Sequence, residues 1–299
     1  LSAENYTVAV FLQGVRNGVN QDSMNRCELV SYLGAALASD ATRRLDAIAP
    51  PDKLTRIGLQ LYTVRSILAQ DFQGTLAQVA AIGYREVEFA GYFNHSPADV
   101  RAALRAAGLS APGTHISIQT LRQHWPQTLE AAAAIGHRYV IVPSLPGEDR
   151  RTLDALKAVA DLFNRAGASA REAGIRFGYH NHDAEFLALE GKVPFDVLLE
   201  ETDSALVDFE MDLFWITRGR GDPLAYFERF PGRFALVHVK DMDKEGRMVD
   251  VGQGAIDFKR IFAARRKAGI RHFFVEHDNP PSPLESVRAS YEYLKTLEF

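Results

Sequence analysis

The chain has 299 residues, 46% apolar and 24% charged, a composition that excludes a disordered protein and supplies ample core. Its 34 Lys and Arg against 38 Asp and Glu leave a net charge of −4, which gives no bulk attraction to nucleic acid. No apolar run is long enough to span a bilayer, and the single cysteine, Cys27, excludes an internal disulfide and a thiolate zinc site, so a metal must use His, Asp and Glu.

Residues 1–53 read as an extension. Breakers crowd Gly18 to Asn25, and from Met24 a basic residue, a short apolar stretch (Leu29 to Ala38) and small residues resemble an export leader. Cys27 stands where a twin-arginine leader has its second arginine. The alternative is a helix packed outside the domain. Ala49-Pro50-Pro51-Asp52 reads as a linker, so the domain is expected over 54–299.

From Ile57 a unit recurs: an Ala-rich helix, a glycine, then a β-branched or aromatic run. Ala81-Ile82-Gly83-Tyr84, Ala134-Ile135-Gly136-His137, Glu172-Ala173-Gly174-Ile175 and Lys267-Ala268-Gly269-Ile270 carry it. Strands are expected at 57–64, 86–90, 110–116, 139–143, 176–182, 205–212, 234–240 and 273–277. Helices are expected at 73–82, 97–107, 126–135, 152–173, 194–201, 222–230, 256–268 and 283–297. Eight alternating pairs predict a (β/α)8 TIM barrel. An open doubly wound sheet lacks its glycine fingerprint, because Tyr62-Thr63-Val64-Arg65 follows the first strand.

A barrel places its site at the C-terminal strand ends. There this chain has Glu88, His115, His180 with His182, Glu210 with Asp212, His238 with Lys240, and Glu276. Alternation puts each of the three pairs on one face. Carboxylates and imidazoles gathered at four consecutive strand ends are costly unless neutralised, and a divalent cation neutralises them with N and O ligands. Gly252-Gln253-Gly254 reads as a turn into a helix, with a phosphate cradle as the alternative.

Tyr179-His180-Asn181-His182-Asp183-Ala184-Glu185-Phe186, Phe209-Glu210-Met211-Asp212-Leu213-Phe214-Trp215, His238-Val239-Lys240-Asp241 and Val275-Glu276-His277-Asp278 resemble the sugar phosphate isomerase/epimerase family of the xylose-isomerase-like TIM barrels. The resemblance covers about 57–299. It implies one divalent ion (Mn, Mg, Co or Zn) on Asp212, His238 and Glu276, with His180 where many relatives carry Glu. That departure points to a branch that includes lyases and hydratases on keto-sugars.

The expected chemistry is proton removal beside a carbonyl, giving a metal-stabilised enediolate. Glu276 is the expected base, and Glu185 or His182 the second acid/base. Lys240 is the expected oxyanion charge. Glu88, His115 and Trp215 are the expected substrate-orienting groups, with Trp215 a sugar platform or else a rim residue. A sugar isomerase or epimerase leads, and a lyase or hydratase on a keto-sugar or keto-glycoside is the alternative. A nuclease would need a basic groove, and a non-catalytic carbohydrate-binding barrel would hold metal without turnover. The expected partner is a small carbohydrate, not nucleic acid or membrane, with homo-oligomerisation left open. The expected setting is bacterial, cytoplasmic or periplasmic.

Overall fold

A computed structural model describes residues 52–299. The leader-like text from Met24, Cys27 and the breakers at 18–25 lie outside the described residues. Eight parallel strands close into a barrel in the order β1-β10-β7-β6-β5-β4-β3-β2. The barrel strands are β1 (Gly58–Gln60), β2 (Glu86–Phe89), β3 (Ser110–His115), β4 (Tyr139–Val142), β5 (Arg176–His180), β6 (Val207–Asp212), β7 (Phe234–Val239) and β10 (His272–Val275). A two-stranded hairpin of β8 (Asp241–Met242) and β9 (Met248–Val249) interrupts the alternation after β7. All eight expected barrel strands form, and a TIM barrel is the fold.

The recurring glycine works as expected. Gly108 ends the Pro97–Ala107 helix at φ 67°. Gly136 ends the Ile118–Ile135 helix at φ 103°, a conformation that costs an L side chain and not glycine. The helix start at Ser96 is a capping box with Pro97 next, which fixes that boundary where the sequence placed it.

Departures have local causes. The first strand is short because the Gln60 side chain accepts from Tyr62 N at 3.0 Å and turns Leu61–Val64 into a 3₁₀ helix. The helix expected from 126 begins at Ile118 and kinks at His124, just ahead of Pro126, whose ring cannot continue a straight helix. A helix that periodicity does not announce, Leu213–Arg218, starts on the Asp212 carboxylate, which accepts from Trp215 N at 2.9 Å.

Asp52 and Lys53 precede the expected start at 54 and are tied to the chain's far end. Asp52 and Phe299 exchange backbone hydrogen bonds of 2.9 and 3.0 Å. Asp52 also pairs with Arg265, and Lys53 with Glu298.

Candidate active site

Two register irregularities set the floor of the site. β3 advances an extra residue against β2 between Glu86 and Glu88, and β7 does so against β6 between Phe209 and Glu210. Such bulges re-aim side chains. Glu88 and Glu210 are fully buried at these points. Glu88 needs the room that Gly113 leaves, since a Cβ on residue 113 would stand 2.3 Å from Glu88 Oε1.

Glu88 and Glu210 form a lower tier with three imidazoles. His115 Nε2 lies 2.7 Å from Glu210 Oε2 and 3.2 Å from Glu88 Oε2. His180 Nδ1 lies 3.2 Å from Glu210 Oε2, and His238 Nε2 lies 3.1 Å from it and 2.7 Å from Glu88 Oε2. Burial opposes protonation of His115, but Glu88 and Glu210 outweigh it and push its pKa up to about 9. Burial likewise opposes His238, and Glu210 and Glu276 overcome it. His180 is held well below the ordinary imidazole value by burial and by the neighbouring His238.

Two residues further along β6, Asp212 opens the upper tier. Its Oδ2 is buried and accepts no hydrogen bond. Around it stand His180 Nε2 at 3.6 Å, His238 Nδ1 at 3.9 Å and Lys240 Nζ at 3.2 Å. Glu276 Oε2 lies 2.7 Å from both His238 Nδ1 and Lys240 Nζ. Burial lifts Asp212 to about 6. Burial also acts on Glu276, but Lys240 and His238 hold it well below the usual carboxylate range. Asn181 fixes the end of β6, its Oδ1 accepting from Asp212 N at 3.1 Å.

Asp212, His238 and Glu276 offer ligand atoms within 4.8 Å of one another, and His180 Nε2 faces the same Asp212 oxygen. Two imidazoles and two carboxylates, one with an orphaned oxygen, fit a divalent ion. His115, His180, Glu210 and His238 also lie within that distance, with a nitrogen of each of the three rings gathered on Glu210 Oε2.

A cavity of 440 Å³ opens above, and His115, His180, His182, Lys240, Glu276 and Asp278 line it with Tyr62. Lys240 is 2% exposed, and Asp278 Oδ1 is its third carboxylate at 2.7 Å. Its pKa is raised because Asp212, Glu276 and Asp278 outweigh the burial that opposes its charge. His182 is kept neutral by burial and then by Lys240, and its buried Nδ1 has no partner.

Besides Asp212 and His238 beneath the cavity, three expected site residues stand elsewhere than in its wall. Glu185 is buried, accepting from Tyr179 Oη at 3.0 Å and His182 N at 2.8 Å, so it braces His182. Glu88 lies in the floor. Trp215 backs the site, with its ring 5.2 Å from that of His182 and 5.7 Å from Lys240 Nζ. Tyr62, 39% exposed, is the aromatic wall instead, with the Arg65 guanidinium 3.8 Å from its ring centre. Glu210 was the strongest omission, although its spacing from Asp212 on one strand face signals it. The turn reading of Gly252-Gln253-Gly254 holds, because Gly252 N and Gly254 N both donate to Asp241 Oδ2 at 2.9 Å.

The chain is 25% identical to an inosose dehydratase of Geobacillus kaustophilus (strain HTA426) over 74% of this chain and 86% of that protein. It is similar to the crystal structure of a sugar phosphate isomerase/epimerase from Parabacteroides distasonis ATCC 8503, with TM-score 0.73, 28% identity, and 84% and 95% of the two chains covered. The IOLI protein with a bound zinc atom shares the fold at TM-score 0.63 and 14% identity, over 80% and 96% of the chains. The xylose isomerase-like TIM barrel pattern matches residues 76–297, and the chain belongs to that family of sugar-modifying enzymes.

Proposed function

We propose that the protein is a metal-dependent lyase that eliminates a β-oxygen substituent from a keto-sugar or cyclic keto-polyol. One observation carries this reading: His182, held below the ordinary imidazole pKa and outside the ligand set, lines the cavity, while the second carboxylate that epimerisation would want, Glu185, is sealed behind it. Inverting a carbon calls for acceptors on two faces. Elimination on one face needs one group that takes the C–H proton and passes it to the departing oxygen.

When bound, the divalent ion supplies Lewis acidity that polarises the carbonyl and acidifies the neighbouring C–H. His180, Asp212, His238 and Glu276 hold it. The His182 ring removes the α-proton, the electron pair forms the C=C bond, and the β C–O bond breaks. The protonated ring then returns its proton to the leaving oxygen as water or an alcohol. Lys240 keeps its proton and faces the negative charge that develops on the carbonyl oxygen.

The substrate is uncharged in this reading. The Arg65 guanidinium donates to Tyr62 O, Asp278 O and Asn279 Oδ1 and is not free for a phosphate, and Lys240 stays paired with Asp278. The inosose dehydratase relative supports the lyase. The Parabacteroides structure favours the second reading, an isomerase or epimerase.

Incubating the protein, loaded with Mn²⁺, Co²⁺ or Zn²⁺, with inosose and a panel of keto-sugars separates the two. Loss of water or alcohol by mass spectrometry, with an unsaturated product by NMR, is the expected result. A product of unchanged mass carrying deuterium from D₂O at an inverted carbon supports the epimerase and removes the lyase.

A further inference from the structure

We infer that Glu210 is a positioning residue: its buried carboxylate decides which ring nitrogen of His180 is presented to the cation and, together with Glu88, which nitrogen of His238. The inference rests on the metal-dependent reading above and adds to it a residue that touches neither cation nor substrate.

A neutral imidazole has one N–H and one lone pair, and only the lone pair can ligate. Each ring must therefore place its N–H away from the ion. His180 reaches Glu210 Oε2 through Nδ1 at 3.2 Å, which leaves Nε2 facing Asp212. His238 turns the opposite nitrogen, Nε2, to the floor, where it meets Glu88 Oε2 at 2.7 Å and stands 3.1 Å from Glu210 Oε2, which leaves Nδ1 facing Asp212 and Glu276. The two rings thus need opposite tautomers; Glu210 selects that of His180 and shares with Glu88 the selection for His238.

His115 is the third leg. Its Nε2 bridges Glu210 and Glu88, and its ring lies 5.2 Å from that of His238 at an interplanar angle of 10°. It holds Glu210 Oε2 beneath the two ligand rings. A glutamine at 210 has one acceptor oxygen and an NH₂ group. Its oxygen in the place of Oε2 is a neutral and weaker acceptor for the three rings, and its NH₂ in the place of the unpartnered Oε1 is a buried donor without an acceptor. Carboxylates behind metal-bound histidines act in this way, and their loss weakens metal affinity by roughly 10–100-fold.

The test uses the full chain and Co²⁺, titrated against a competing chelator. Ring tautomers are read by long-range ¹H–¹⁵N spectra of the Zn²⁺-loaded protein. Glu210→Gln is expected to weaken Co²⁺ by about 10–100-fold and to erode the Nδ1–H pattern of His180, whose Nδ1 bonds Glu210, while Glu88 keeps that of His238. Equal affinity with both patterns retained overturns the inference and leaves the metal site standing. If the unmodified protein binds no Co²⁺, both fall together. Where Glu210→Gln does not fold, Glu210→Asp decides, since it keeps the charge but draws the carboxylate back by one methylene. Weakening of a few-fold supports the role, and unchanged affinity overturns it.

Discussion

Replacing Lys240 with methionine should tighten metal binding while slowing turnover. Lys240 Nζ sits 3.2 Å from Asp212 Oδ2, 2.7 Å from Glu276 Oε2 and 2.7 Å from Asp278 Oδ1, so without metal the ammonium is the cation of the upper tier. A divalent ion that takes Asp212 and Glu276 removes two of its three partners. A charge-assisted contact such as Lys240–Glu276 contributes about 1.5–3 kcal/mol, and the Asp212 pair, whose Oδ2 accepts no hydrogen bond, adds its electrostatic attraction. The lysine recovers part of this through Asp278. A net competition of about 3 kcal/mol corresponds to roughly a hundredfold in affinity.

Lys240→Met should therefore bind Co²⁺ roughly a hundredfold more tightly in chelator competition. The metal-free variant should melt earlier, because three carboxylates lose their counter-charge. Turnover should fall by roughly 10²–10³, the usual loss on removing one group that stabilises a developing oxyanion. Unchanged or weaker Co²⁺ binding would show that the ammonium does not stand in the ion's place.

His182→Gln should lower turnover by roughly 10²–10⁴ with Co²⁺ affinity unchanged; near-normal turnover would move the base elsewhere. Glu276→Gln should weaken the metal, and its turnover should recover in excess metal; a loss that persists at saturation would restore Glu276 as the base. His115 gives a pH signature in the metal-free protein. Its folded pKa of about 9 lies above the ordinary imidazole value of about 6.5, so its stabilisation is complete below about 6.5 and is lost as pH rises through 9. The total is at most about 3 kcal/mol, and urea midpoints of His115→Gln should fall less steeply between those pH values than those of the parent chain. A chain beginning at Asp52 should fold and bind metal. One beginning at Leu54 loses the Asp52–Phe299 pairing and the Arg265 contact and should melt earlier by roughly 2–8 °C, from about 1–2 kcal/mol. Equal melting temperatures would show those contacts to be idle.

The barrel was legible because each βα unit repeats a glycine stop that only a left-handed cap explains, and because strand ends carry polar residues a core would reject. The gathering of Asp212, His238 and Glu276 at one end of the barrel was legible for the same reason. Glu88 was placed on the right strand and Glu185 just past the end of β5, and both were given the wrong exposure, since alternation gives a face and not a depth. Glu88 sinks because Gly113 leaves space, and Glu185 turns back because His182 N and Tyr179 Oη claim it. The helix at Leu213–Arg218 was illegible because its start is the Asp212 carboxylate itself. That one side chain caps a helix through Oδ1 and offers Oδ2 to the site.

Without a metal the site already offsets part of its charge. Glu88, Glu210, Asp212, Glu276 and Asp278 face Lys240 and the raised imidazoles of His115 and His238. Burying that many carboxylates unpaired would destabilise the barrel by several kcal/mol, and the cationic partners reduce that cost. In the proposed mechanism a divalent ion would enter by exchange: His238 would give up the proton on Nδ1, and Lys240 would loosen from Asp212 and Glu276 while staying tethered to Asp278 beside the cavity. The displacement that makes room for the ion would then be the motion that frees a positive charge to meet the substrate carbonyl, coupling metal loading to catalytic competence through a single side chain.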